Sequence, residues 1–127
     1  MDRPTHLRTQ AGIVFDSVTA VALESALDGL ALRQRTIANN IANVNTPGYQ
    51  SRRVAFEGAL ARSVEAGDGQ VLASTERSLE PTRLDGNNVN LETETLSNID
   101  TVLRYQFAAR AVEGQFSSVR AAMRSNS

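Results

Sequence analysis

The sequence predicts a mainly α fold in which two long terminal helices form an antiparallel, coiled-coil-like hairpin. Between them it predicts a loop-rich middle region with a short helix and a short β-hairpin. Three observations carry this expectation. Apolar residues recur at alternating intervals of three and four at both ends of the chain, turn-forming pairs cluster between those ends, and 127 residues suffice for one domain. The expected order is a flexible tail over 1–15, a helix over 16–46, a middle region over 47–90 and a second helix over 91–124. The 41% hydrophobic content is slightly below that of a compact globule, which suits helices that need neighbours.

The tail contains one apolar patch, Ala11 to Phe15, which Asp16 cuts off. It has no basic start close before it and no small-residue cleavage site after it, so a cleaved signal peptide is not expected. No apolar run approaches the ~18 residues of a membrane span, so no direct membrane insertion is expected.

Helical periodicity begins near Asp16, where Asp16 or Ser17 can cap the first turn. Leu23, Leu27, Leu30, Gln34, Ile37, Ile41 and Val44 then form a packing seam sustained over about three heptads. Only Gln34 interrupts it, and Gly29 is the one weak interior residue. Such a helix is roughly 42 Å long, more than a small globule can cover.

Four asparagines, Asn39, Asn40, Asn43 and Asn45, crowd the end of this helix. Two readings stand. They are turn formers at a fraying end, or their amides line the edge of the seam and fix the register in which helices pack. Beyond them Pro47 pushes Thr46 to an extended conformation, and Gly48 suits the positive φ of a type II turn. Tyr49 leaves that turn on a defined heading.

The middle region carries turn signals at Pro47-Gly48, Ala66–Gln70 and Asp85–Asn88. Val54–Val64 reads as a short helix, and 71–73 and 82–84 read as short strands. Helical periodicity returns from Leu91, with Asn90 as cap and Glu92 and Glu94 in the first turn, where the helix dipole favours anions. Two packing seams run along this helix: Leu96, Ile99 and Leu103 on one, and Val102, Tyr105, Ala109, Val112, Phe116, Val119 and Met123 on the other. A hairpin supplies one neighbour per helix, so two seams point towards assembly.

Composition and spacing argue against catalysis and nucleic-acid binding. The net charge of −1 gives no electrostatic footprint for nucleic acid, and Arg52-Arg53 beside Phe56 reads as a solvated face. All thirteen basic residues are arginine, scattered along the chain. There is no cysteine, and His6 is the only histidine, so thiolate sites and histidine-based triads lack material. Gly67, Gly69 and Gly86 are isolated turn glycines and form no phosphate loop. No cofactor, metal site or enzyme activity is expected.

The stretch Ala38 to Leu60, "ANNIANVNTPGYQSRRVAFEGAL", closely resembles the N-terminal signature of bacterial flagellar rod and hook proteins. That signature runs Asn-Ile-Ala-Asn, two or so residues, then Thr-Pro-Gly-Tyr. Here it falls on Asn40-Ile41-Ala42-Asn43 and Thr46-Pro47-Gly48-Tyr49. At the far end "DGNNVNLETE" (85–94), "LRYQ" (103–106) and "QFSSVRAAM" (115–123) resemble the closing segment of the short proximal-rod members. The resemblance covers roughly residues 16 to 124. The short middle region sets the chain apart from hook and distal-rod relatives, which carry large inserted domains there.

The resemblance implies a structural subunit of the proximal rod of the flagellar basal body, part of the drive shaft crossing the periplasm and required for flagellum-dependent motility. Its partners would be other copies of itself, neighbouring rod and basal-body proteins, and the flagellar type III export apparatus, which passes such chains unfolded and without a cleaved leader. The asparagines would then act as register pins. An export-gate element is expected upstream of them; Phe15 takes its aromatic position, and Thr19 stands where an apolar residue belongs. The alternatives are another short rod subunit or a soluble helical adaptor or chaperone. Stoichiometry separates these, since an adaptor saturates and a polymer does not.

Overall fold

The computed structural model describes the backbone of residues 5–125 and the side chains of residues 17–125. Helix α1 (Thr5–Ala42), strand β1 (Arg52–Ala55), helix α2 (Glu57–Glu65), strand β2 (Ser74–Arg77) and helix α3 (Leu91–Ser125) follow in that order. The mainly helical architecture with long terminal helices is the one the sequence predicts. α1 begins at Thr5, ahead of the expected start, so Asp16 and Ser17 lie within the helix and do not cap it. The side chains of His6 and Phe15 lie outside the described residues. No helix among the described residues is long and apolar enough to cross a membrane.

α1 and α3 run antiparallel. At one end Asn40 bonds Glu94, and further along Ala20 and Leu23 share a groove with Val112, Phe116 and Val119. The α1 seam lies on the packed side, with Leu30 and Ile37 buried and Leu23, Leu27, Gln34, Ile41 and Val44 half-buried.

The opposing face of α3 has a different character. Glu94, Ser97, Thr101, Ala108, Val112 and Gln115 follow at helical intervals, with Thr101 and Ala108 buried and the others half-buried. Small and polar side chains let the helices approach closely. The Thr101 hydroxyl stays satisfied by donating to the Ser97 carbonyl at 2.7 Å.

The middle region packs against α1 through a small core of Leu30, Val54, Phe56 and Ala108, flanked by Leu27, Leu60 and Val71. Phe56 sits where Gly29 leaves room: a Cβ on Gly29 would stand 2.7 Å from the ring. The Arg33 guanidinium lies 4.9 Å from the Phe56 ring centroid, bonds both carboxylate oxygens of Glu57 and donates to the Val54 carbonyl at 2.9 Å. The loop before β2 is fastened to α1 by Ser25, whose hydroxyl donates to Gly69 O at 2.9 Å and accepts from Val71 N at 3.3 Å.

The strands are not where hydrophobicity places them. β1 pairs antiparallel with β2, Arg53 opposite Glu76 and Val54 opposite Thr75, whereas 71–73 and 82–84 form no strand. α2 intervenes, so the pair is not a tight hairpin. All of β2 (Ser-Thr-Glu-Arg) is exposed, and such a polar strand has no buried face to announce it. Arg53 and Glu76 form an exposed cross-strand ion pair at 3.4 Å.

Candidate functional site

Among the described residues, the asparagine-rich end of α1 is densely hydrogen-bonded. α1 ends at Ala42, and the chain tightens by bonds from Val44 N to Ile41 O at 3.2 Å and Thr46 N to Asn43 O at 3.0 Å. Thr46 to Tyr49 then form a turn closed by Tyr49 N to Thr46 O at 3.2 Å, with Gly48 at φ 76°.

The four asparagines have different surroundings. Asn40 is fully buried. Its Nδ2 donates to Arg52 O at 2.7 Å and Glu94 Oε1 at 3.1 Å, while its Oδ1 accepts from the Tyr49 hydroxyl at 3.0 Å and Arg52 N at 3.1 Å. One amide thus ties α1 to the turn, to β1 and to the start of α3, with every donor and acceptor used. Asn43 is half-buried, donating to Asn39 O at 2.8 Å and accepting from the Thr46 hydroxyl at 3.1 Å. Asn39 and Asn45 are exposed, as are Thr46, Pro47 and Gly48.

The segment before α3 completes the knot. Asn87 is fully buried, and its Nδ2 donates to the carbonyls of Asn43 and Thr46, both at 2.8 Å. Its Oδ1 accepts from Val89 N at 2.7 Å. Arg83 reaches Val44 O at 2.6 Å and Val89 O at 2.7 Å. Side chains from just ahead of α3 therefore bond the carbonyls of the turn that follows α1. Asn88, also buried, accepts from Ser51 N at 2.6 Å and donates to Glu80 O at 3.1 Å. Gly48 N donates to Asp85 O at 2.8 Å, and Gly48 and Gly86, both at positive φ, lie so close that a Cβ on Gly86 would come within 3.3 Å of Gly48 Cα. From the sequence alone Asp85–Asn88 reads as a turn. The signal available was two amides beside Asp-Gly, a composition that fits a turn equally well.

Two ionisable groups border the knot. Burial raises the Glu94 carboxyl above its ordinary range, the Asn40 amide opposes this, and the Glu80 carboxylate adds to it. Burial also raises the Tyr49 hydroxyl, helped by Glu94 and offset in part by Arg52. Among the described residues no cluster of His, Asp or Glu could hold a metal ion.

The seam residues of α3 divide. Val102 and Val112 are half-buried, whereas Leu96, Ile99, Leu103, Tyr105, Phe116, Val119 and Met123 are exposed. Phe107, which neither expected seam includes, is 77% exposed. Exposed apolar side chains therefore run along nearly the whole helix.

A satisfied amide knot beside exposed apolar helix faces fits the class of structural, assembling proteins. The comparisons with known proteins agree. The family described as "Flagella basal body rod protein" matches residues 22–50, which span the second half of α1, the asparagines and the turn. The flagellar basal body rod protein FlgB of Escherichia coli (strain K12) is 33% identical over 114 residues, covering 72% of this chain and 83% of its own. FlgB of Bacillus subtilis (strain 168) is 29% identical over 121 residues, covering 82% and 92%, and that of Borrelia hermsii is 30% identical over 116 residues, covering 73% and 86%. The chain belongs to the FlgB family of flagellar basal body rod proteins. It is a structural component of the flagellar basal body rod and not an enzyme.

Proposed function

We propose that the chain polymerises through its terminal helices into the proximal rod, the part of the drive shaft nearest the start of its passage through the periplasm. In this reading its partners are other copies of itself and the adjoining rod and basal-body proteins. It reaches them through the flagellar type III export apparatus, without a cleaved signal peptide, and cells need it to swim. The amide knot fixes the angle and register at which α1 and α3 leave the closed end, so that every subunit presents the same helix faces.

The observation that carries this reading is the division of α3 into a small, polar face turned to α1 and large apolar residues turned to solvent: Leu96, Ile99, Leu103 and Phe107 are 63, 54, 61 and 77% exposed. Burying such side chains stabilises by roughly 1.5–3 kcal/mol each, which a monomer leaves unused. Replacing Leu103 by Asp in cells lacking the intact gene tests it. The variant should reach the periplasm yet give basal bodies without a complete rod and cells that do not swim. Complete rods and normal swimming would reject the assignment.

A further inference from the structure

We propose that the outward face of α3 docks on the outward face of α1 of a second copy, side by side and in the same orientation. This deepens the rod-subunit reading, and rests on it, by naming the two surfaces that meet. On α3 the surface is Leu96, Ile99, Leu103 and Phe107, turned away from the buried Thr101 and Ala108. On α1 it is the exposed stripe of Asp28, Arg35, Ala38 and Ala42 with the half-buried Ala31, turned away from Leu30 and Ile37. Alanines leave space on α1 for the leucine and phenylalanine side chains of α3. The same interval, about two turns, separates Ala31 from Ala38 and Leu103 from Leu96.

Charge selects the occupant and its orientation. Within one chain Asn40 bonds Glu94, and Ala20 shares a groove with Val119, so these pairs stand at equal heights along the hairpin. On that scale Ala38 is level with Leu96, Arg35 with Asp100, and Asp28 with Arg110. A neighbour in the same orientation therefore sets Arg35 beside Asp100 and Asp28 beside Arg110, opposite signs at both heights. A neighbour turned end for end sets Arg35 towards Arg110 and Asp28 towards Asp100, like signs at both. Asp28, Arg35 and Arg110 have no ion-pair partner among the described residues, and Asp100 pairs only with Arg104 on its own helix. Because the two faces differ, the contact is heterologous and each copy still offers one free face after docking, which yields rings or helical filaments.

The absence of cysteine makes the pairing directly testable. Full-length chain carrying Ala38→Cys and Leu96→Cys, concentrated and oxidised with copper phenanthroline, should give a ladder of covalent multimers on a non-reducing gel. Either single variant alone should stay monomeric, and a mixture of the two should give one dimer band. Adding Asp28→Arg or Arg110→Asp should remove the ladder, and adding both should restore it. Monomer-sized product from the double cysteine variant, or dimers from a single one, would overturn the proposal. Filaments without the ladder would discard this pairing and leave the rod-subunit reading intact; neither filaments nor ladder would discard both.

Discussion

The side-chain amide of Asn87 donates to the main-chain carbonyl of Asn43 at 2.8 Å, so the end of α1 is closed by a residue 44 positions later in the chain. Its second N–H goes to Thr46 O and its oxygen to Val89 N. Asn87→Ala should leave Val89 N without a partner and remove one of the two bonds to each of the Asn43 and Thr46 carbonyls, destabilising the chain by about 1–3 kcal/mol in urea unfolding. Asn87→Asp should be no better, because a carboxylate turns an acceptor towards two carbonyl oxygens. An aspartate variant as stable as the parent would overturn the cap assignment.

Asn40 and Asn39 are neighbours in sequence and opposites in environment, 0% exposed against open to solvent. Asn40→Ala removes partners from Arg52 N, Arg52 O, Glu94 and the Tyr49 hydroxyl, an expected loss of about 2–4 kcal/mol. Asn39→Ala should stay within about 0.5 kcal/mol. Equal losses at the two positions would mean that the amides act through helix propensity alone.

Those two pairs mark how far the sequence could be read. The two long helices were legible because the Leu23 to Val44 seam repeats at helical spacing, a local signal. Whether the asparagines frayed or packed was not, because Asn40 is distinguished from Asn39 only by partners at Tyr49, Arg52 and Glu94. The α3 face turned to α1 was invisible to hydrophobic periodicity, since Ser97, Thr101 and Ala108 carry little apolar surface. β2 escaped for the same reason. The resemblance of the Asn-Ile-Ala-Asn and Thr-Pro-Gly-Tyr stretch supplied the family directly, whereas the partners of Asn87 and Asn88 required the fold.

Gly48 has φ 76° with nothing within 4 Å of where a Cβ would stand, so substitution there is strained by conformation and not by contact. Gly48→Val should cost roughly 1–3 kcal/mol and turn Tyr49 off its heading towards Asn40. Gly48→Asn should cost less, because asparagine tolerates the left-handed region. Swimming in soft agar should rank parent, Asn and Val in that order; an unimpaired Val variant would reject the turn as the determinant.

Glu94 gives the knot a pH dependence of unusual sign. Burial and the Glu80 carboxylate raise its folded pKa above the unfolded value. Its contribution to stability is then fully present below the unfolded pKa and lost as pH rises through the folded one. Glu94→Gln keeps an oxygen to accept from Asn40 and removes the charge. The variant should therefore gain on the parent between mildly acidic and neutral pH, read as a growing difference in urea midpoint. Glu57, lowered chiefly by its hydrogen bond from Arg33, works oppositely: its stabilisation is present above the unfolded pKa and lost as pH falls through the folded value. A Glu94→Gln difference that shrinks as pH rises would overturn this assignment.

The glycines within α1, α2 and α3 set helix propensity against packing. In a helix interior, Gly→Ala ordinarily stabilises by about 1 kcal/mol. Gly114→Ala in α3 should do so, since its new Cβ meets nothing within 4 Å, and Gly58→Ala, in the first turn of α2 where the Cβ meets only Arg62 NH1 at 3.6 Å, should gain less. At Gly29 the same methyl would stand 2.7 to 2.8 Å from three Phe56 ring atoms. That ring is 4% exposed and covered by Arg33, so it has nowhere to retreat, and overpacking of this kind costs about 1–3 kcal/mol. The clash outweighs the propensity gain, and Gly29→Ala should melt below the parent while the other two melt above it. Gly29→Ala combined with Phe56→Leu, which trims the ring, should recover part of the loss. If Gly29→Ala alone melts above the parent, Phe56 does not rest on α1 as described, and the docking of the middle region would have to be redrawn.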